Sequence, residues 1–167
     1  HQPICDVLAL EAAALIVENL PRVLGDGTDI EARSAMCRAA LLAGMAFPIP
    51  KNAAVHACSY PLSNKYHLSH GAACAMTLDH FMRFNSDAMA ERGATLARAA
   101  GFADLNRFAD AIAELKAIAG LPSKLSEVGI DESVLDDLVE SSLHPIMANN
   151  PREVTPAELK SLYARIL

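Results

Sequence analysis

Long apolar runs, basic charge in excess, strand-forming stretches and glycine-rich loops are what this sequence has least of, and each shortage removes a class of function. Lys and Arg number 14 against 20 Asp and Glu, for a net charge of −6 and a pI near 5.4. Such a chain lacks the positive footprint that neutralises phosphates, so nucleic acid is excluded as a partner. Its most apolar run, residues 7–17, is interrupted by Glu11 and bounded by Asp6 and Glu18. A membrane span needs about 20 apolar residues, so this run reads as a buried helix and no membrane is expected. No G-x-G-x-x-G or G-x-x-x-x-G-K occurs, so no phosphate cradle for a nucleotide is evident. Cysteine is sparse: Cys5, Cys37, Cys58 and Cys74, without tight pairing or a secretory leader, suit reduced thiols in a cytoplasmic protein. Internal repeats, low-complexity tracts and long linkers are missing as well. The chain opens His1-Gln2-Pro3-Ile4 rather than on Met, and so reads as part of a longer polypeptide.

What is present is helix after helix. Apolar residues recur at three and four positions over residues 6–24, 29–47, 71–84, 88–100, 104–119, 132–143 and 156–166, the period of core-facing helices. Punctuation agrees. Thr28 or Asp29 can cap the second segment, Gly101 and Gly120 stand where left-handed helix ends are expected, and Asp131 is a plausible N-cap. Thr155, Pro156 and Glu158 spell a capping box with proline at the first helical position. With 5% aromatic residues and few β-branched runs, the expected class is all-α: one domain, residues 1–167, of seven or eight helices.

The stretch most telling of function is AAVHACSYPLSNKYHLSHGAACAMTLDHF. Pro48 and Pro50 cannot continue the preceding helix, so a short helix from about residue 52 carries Val55, His56, Ser59 and Tyr60, with His56 and Tyr60 on one face. Pro61, Ser63 and Asn64 are expected to break it, residues 65–69 to connect, and His70-Gly71 to open a long apolar helix. His56 and His70 thus edge one turn-rich region and can converge. Neutral imidazole is the commonest protein ligand for divalent transition metals, yet two ligands are half a site where three or four are usual. Read singly, each His also fits a hydrogen-bonded core residue. Cys58, His67, His70 and Cys74 form a C-x8-H-x2-H-x3-C set that a structural zinc could use, although no common finger has this spacing. His80 and His144 follow apolar helical stretches and read as structural.

With Ala148-Asn149-Asn150-Pro151-Arg152 and Gly120-Leu121-Pro122-Ser123-Lys124-Leu125 added, this region resembles the C-terminal helical domain, dehydroquinate synthase-like in fold, of the iron-containing (group III) alcohol dehydrogenases, over essentially the whole chain. The resemblance implies that His56 and His70 are two metal ligands, the second in a His-Gly step, and that the following helix ends in a motif like His80-Phe81-Met82-Arg83-Phe84-Asn85. The family completes its metal shell with an Asp and a His four apart, and no Asp-x-x-x-His occurs in this sequence. By the resemblance those ligands and the dinucleotide-binding domain belong upstream of His1, so both are expected to be absent from this chain. Tyr60 stands where many relatives carry a further His; a phenol can hydrogen-bond a substrate oxygen, but with an unperturbed pKa near 10 it shuttles protons poorly at neutral pH. Pro48-Ile49-Pro50-Lys51-Asn52 replaces a glycine-rich approach, and His67 falls on the pocket rim. Tyr60 and His67 are therefore the residues expected to touch substrate.

The implied parent activity is alcohol/aldehyde interconversion by hydride transfer, with Fe2+ or Zn2+ as Lewis acid and NAD(P) as redox partner, on a small alcohol or aldehyde and in a homo-oligomer. The isolated chain is expected to fold, to bind metal weakly or not at all through two ligands, to be inactive, and to show an apolar wall around residues 48–70. The competing classes are a non-catalytic helical interaction module and a structural zinc-binding domain.

Overall fold

The structure, a computed structural model, describes residues 2–167; His1, on which the reading of an incomplete start rests, lies outside the described residues. Eight α-helices and no strand are found among them: α1 (Pro3–Gly25), α2 (Ile30–Ala46), α3 (Ala54–Tyr66), α4 (His70–Phe84), α5 (Ser86–Ala99), α6 (Leu105–Ile118), α7 (Leu135–Ser142) and α8 (Pro156–Arg165), with short 3₁₀ turns at Leu125–Val128, Glu132–Val134 and Pro145–Asn149. The all-helical class is as the sequence implies. No helix among the described residues is long and apolar enough to cross a membrane.

α1 begins three residues earlier than its apolar periodicity suggests, because the Gln2 side chain accepts from the backbone N–H groups of Ile4 (2.9 Å) and Cys5 (3.4 Å) and Pro3 fills the first turn. α1 and α2 form a hairpin. Asp29 caps α2 by accepting from the N–H of Ala32 (2.9 Å). On α2 the buried positions Ala32, Ala39 and Ala46 recur at sevens, a small-residue stripe that lets α1 approach closely, while Ile30, Leu41 and Met45 stay exposed.

The main core lies elsewhere. α3, α4, α7 and α8 enclose Leu62, Met76, Phe81, Leu125, Ile130, Leu135, Leu138, Leu159 and Tyr163. A satellite cluster of Ala100, Leu105 and Phe108 joins α5 to α6, with Phe102 stacked on Phe108 at 5.1 Å. α5 is bent at Ala90, whose φ of 40° is in the left-handed region, a conformation costing a non-glycine residue about 1–3 kcal/mol.

Pro61 corrects the expectation of a break: α3 runs through it to Tyr66. An interior proline forfeits a backbone hydrogen bond and costs a helix about 3 kcal/mol. Here Ala54, Ala57, Cys58, Pro61 and Leu62 form the buried i, i+3, i+4, i+7, i+8 stripe of α3, so a continuous helix that buries this stripe wins over a broken one that exposes it. The connection to α4 shrinks to residues 67–69.

Sequence-distant contacts pin both ends of the α3–α4 unit. The Asn149 side chain donates to the carbonyl of Asn52, just ahead of α3 (2.9 Å). Asn150 and Asn85 exchange hydrogen bonds between their side-chain amides (3.1 and 2.7 Å), and Arg152 lies over the Phe84 ring at 4.0 Å while pairing with Glu158. Within the core, Lys116 of α6 pairs with Asp79 of α4 at 2.5 Å, both side chains being buried. The capping box at Thr155 and Glu158 is present, and Gly101 and Gly120 adopt positive φ.

Candidate metal centre

His56 sits in the first turn of α3 and His70 is the first residue of α4. The prolines of the 47–51 turn stop α2, and Lys51 closes that turn with a φ of 69° and an N–H to the carbonyl of Phe47 at 2.9 Å. α3 ends at His67, which takes the left-handed conformation (φ 58°) and donates its N–H to Leu62. Residues 67–69 then return the chain beside α3, so that the rings of His56 and His70 face each other with centroids 5.3 Å apart and planes inclined by 53°.

A third donor joins them. Cys74 is one turn along α4 from His70, its Sγ 3.7 Å from His70 Nε2, and the donor atoms of His56, His70 and Cys74 all lie within 4.8 Å of one another. Behind the pair, buried Ser59 donates to the carbonyl of His56 (2.8 Å) and its oxygen is 3.5 Å from His70 Nδ1. With the hydroxyl proton so committed, the Ser59 oxygen is left to accept from an Nδ1–H, the tautomer that frees the Nε2 lone pair. Burial, and then the neighbouring His70, lower the pKa of His56 and keep its ring neutral. Burial raises the pKa of the Cys74 thiol.

Three donors of this kind suit a divalent transition metal. Metal–nitrogen bonds of about 2.0–2.1 Å and a metal–sulfur bond of about 2.3 Å at a tetrahedral angle place N and S roughly 3.6 Å apart. The observed 3.7 Å between His70 Nε2 and Cys74 Sγ already matches that edge. Both histidines open into a cleft of about 560 Å³ lined by Ala43, Gly44, Phe47, Asn52, His56, Tyr60 and His70.

Tyr60 lines the same cleft, one turn after His56, and its ring meets that of His144 edge-on at 5.2 Å. His144 accepts from the N–H of Ile146 at Nδ1 (3.2 Å). Nothing in the sequence joins it to Tyr60; only the fold of the 145–149 turn against α3 does. His67 is exposed at the end of α3 and is not among the residues lining the cleft. Cys58 faces the core, where burial pushes its thiol up to about 12 beside Tyr163 and Ser142. The four-residue zinc set therefore does not assemble as one group: His70 and Cys74 come together, Cys58 and His67 do not join them. His80 is half-buried with Asp79 at 3.5 Å and is not among the residues lining that cleft; it lines a separate cavity with Arg83, Arg152 and Arg165.

Residues 1–167 match the Fe-containing alcohol dehydrogenase family, C-terminal. The chain is 34% identical to the 1,3-propanediol dehydrogenase of Citrobacter freundii over 96% of its own length and 44% of that protein, and 31% identical to the NAD-dependent methanol dehydrogenase of Bacillus methanolicus over 99% and 46%. Among solved structures it superposes on the sulfoacetaldehyde reductase from Bifidobacterium kashiwanohense, a complex with NAD+, with a TM-score of 0.95 and 43% identity, covering 99% of this chain and 44% of that one. The chain thus spans less than half the length of these relatives.

Proposed function

Because the chain belongs to the Fe-containing alcohol dehydrogenase family and corresponds to its C-terminal helical part, we propose that it is the metal-holding portion of an NAD(P)-dependent dehydrogenase that interconverts a small alcohol and its aldehyde. The observation that carries this reading is the facing of His56 and His70 across 5.3 Å at a cleft that also holds Tyr60. When bound, divalent iron or zinc supplies Lewis acidity at the substrate oxygen, and NAD(P) exchanges hydride with the substrate carbon. His56 and His70 offer ring nitrogens, the first with its pKa lowered by burial and the second oriented by Ser59. Phe47 and Ala43 give the cleft an apolar wall that excludes water from one side, and the Tyr60 hydroxyl donates a hydrogen bond to the substrate oxygen. His67, out at the end of α3, meets only the part of a substrate that reaches that edge.

In this reading the nucleotide is held by a segment outside these 167 residues, which also adds metal donors. The large exposed side chains Ile30, Leu41 and Met45 of α2, with Phe47 and Ile49 in the turn after it, support burial of this face against such a segment or a second copy in a homo-oligomer. Free Cys5, Cys37, Cys58 and Cys74 suit a reducing, cytoplasmic setting.

The test is alcohol-dependent reduction of NAD(P)+ by a protein that joins this chain to the nucleotide-binding part. Turnover that needs metal, falls by more than about 100-fold in His56→Ala or His70→Ala, and is missing from the chain alone is the expected result. Full activity in the His56→Ala/His70→Ala double variant would overturn the assignment.

A further inference from the structure

We propose that Cys74 is a metal ligand, completing with His56 and His70 a three-donor site of this chain's own that takes thiophilic divalent ions, zinc and cobalt(II), ahead of iron(II), manganese or magnesium. The inference rests on the preceding reading that His56 and His70 hold a metal, and adds the sulfur. Three observations carry it. Sγ of Cys74 and Nε2 of His70 are 3.7 Å apart, the separation that two ligands of one tetrahedral ion require. His70 and Cys74 are four residues apart on one helix, so the same face of α4 presents both toward His56, and all three donor atoms fall within 4.8 Å. Ser59, buried behind the pair, gives its proton to the His56 carbonyl and stands 3.5 Å from His70 Nδ1, which turns the His70 Nε2 lone pair to the side where Cys74 lies.

Two imidazoles alone would discriminate weakly among first-row ions. A thiolate changes the ranking, because soft sulfur favours zinc and cobalt over the oxygen-seeking ions, and affinity for a given N/S site rises from manganese through iron to cobalt. Binding is a proton exchange with no redox change: the thiol S–H bond breaks, the S–metal bond forms, and one proton leaves to solvent for each ion taken up. His56, His70 and Cys74 are the donors this chain itself offers, and the remaining positions of the ion are left to donors from outside these 167 residues and to the cleft. Cys58 is the internal control, a cysteine four residues before Leu62 on the core face of α3 that is fully buried and cannot reach the ion.

The experiment is titration of the chain with cobalt(II) followed by absorbance. One ion per chain is expected, with a near-ultraviolet thiolate-to-cobalt charge-transfer band. Cys74→Ser should lose the band and weaken binding by more than about tenfold, the least that loss of even an outer-shell partner costs, while Cys58→Ser keeps both. A second measurement needs no variant: zinc should protect Cys74, and not exposed Cys37, from alkylation by iodoacetamide, read by peptide mass spectrometry. If cobalt binds without the band and is lost in His56→Ala and His70→Ala, the thiolate is wrong and the two-histidine site stands. If binding ignores His56→Ala and His70→Ala, the histidine reading itself fails and this inference with it. Unaltered alkylation of Cys74 under saturating zinc also overturns it.

Discussion

Replacing Asp79 by Ala leaves the Lys116 ammonium without its carboxylate inside the protein, and the structure sets the size of the penalty. The two side chains are 6% exposed each and 2.5 Å apart, and Asp79 also has His80 Nε2 at 3.5 Å. Removing one partner of so buried a pair costs about 3–5 kcal/mol, because the orphaned charge has no water to return to. Against a total stability of about 5–15 kcal/mol, and with roughly 2–4 °C of Tm per kcal/mol for a chain this size, Asp79→Ala should lower the melting temperature by about 6–20 °C. Most of that loss belongs to the stranded charge and little to the missing bond. An apolar pair of similar volume, Asp79→Leu with Lys116→Met, should therefore recover to within about 1–2 kcal/mol of the native chain. Urea denaturation followed by circular dichroism on Asp79→Ala, on the single variants Asp79→Leu and Lys116→Met, and on their double variant measures the penalty and the cycle. A single variant within about 0.5 kcal/mol of native, the range of ordinary surface changes, or a double variant no better than the worse single, would refute the claim that this pair is desolvated.

Acidification should destabilise the fold through His56 and His80. Burial is the first cause of the lowered pKa of each, so the unfolded chain, with a value near 6.5, binds protons that the native chain resists; stability is constant above about pH 7 and falls as pH drops through 6.5. Urea midpoints between pH 7.5 and 5 check this (assay range of about that span), and a rising midpoint on acidification would contradict it. Asn150→Ala removes the reciprocal pair with Asn85 and the bond to the carbonyl of Arg152, for an expected loss of about 1–3 kcal/mol at roughly 1 kcal/mol per net bond; an unchanged midpoint would show that this tie does not hold α4 to the C-terminal segment. In the native state at pH 8, about the usual alkylation condition for thiols, iodoacetamide should modify Cys37 and spare Cys58, whose thiol burial pushes up to about 12; rapid labelling of Cys58 would mean that the α3–α8 core opens.

Local chemistry was the legible part of this fold. Thr155 and Glu158 form their capping box, Asp29 caps α2, and Gly101 and Gly120 take positive φ, because each depends on neighbours in sequence alone. The facing of His56 and His70 followed from the break at Pro48 and Pro50 and the short return at residues 67–69. Pro61 was misread because propensity is a local term and the buried stripe of α3 is not. Two features depend on contacts between distant segments and left no mark in local pattern. Asp79 and Lys116, 37 residues apart, look like any other charges on amphipathic helices. His144 reaches Tyr60 only through the 145–149 turn. Cys74 did appear in the sequence as part of a zinc-type set, but its actual companions are His56 and His70, since Cys58 turns into the core and His67 is spent in ending α3.

The central claim is that His56 and His70 hold one metal ion at the cleft beside Tyr60. Anomalous diffraction from crystals of the chain grown with zinc tests it most directly. The expected map has a single strong peak about 2.0–2.1 Å from a ring nitrogen of each histidine. A peak bound elsewhere, with both imidazoles free under saturating zinc, would contradict the account.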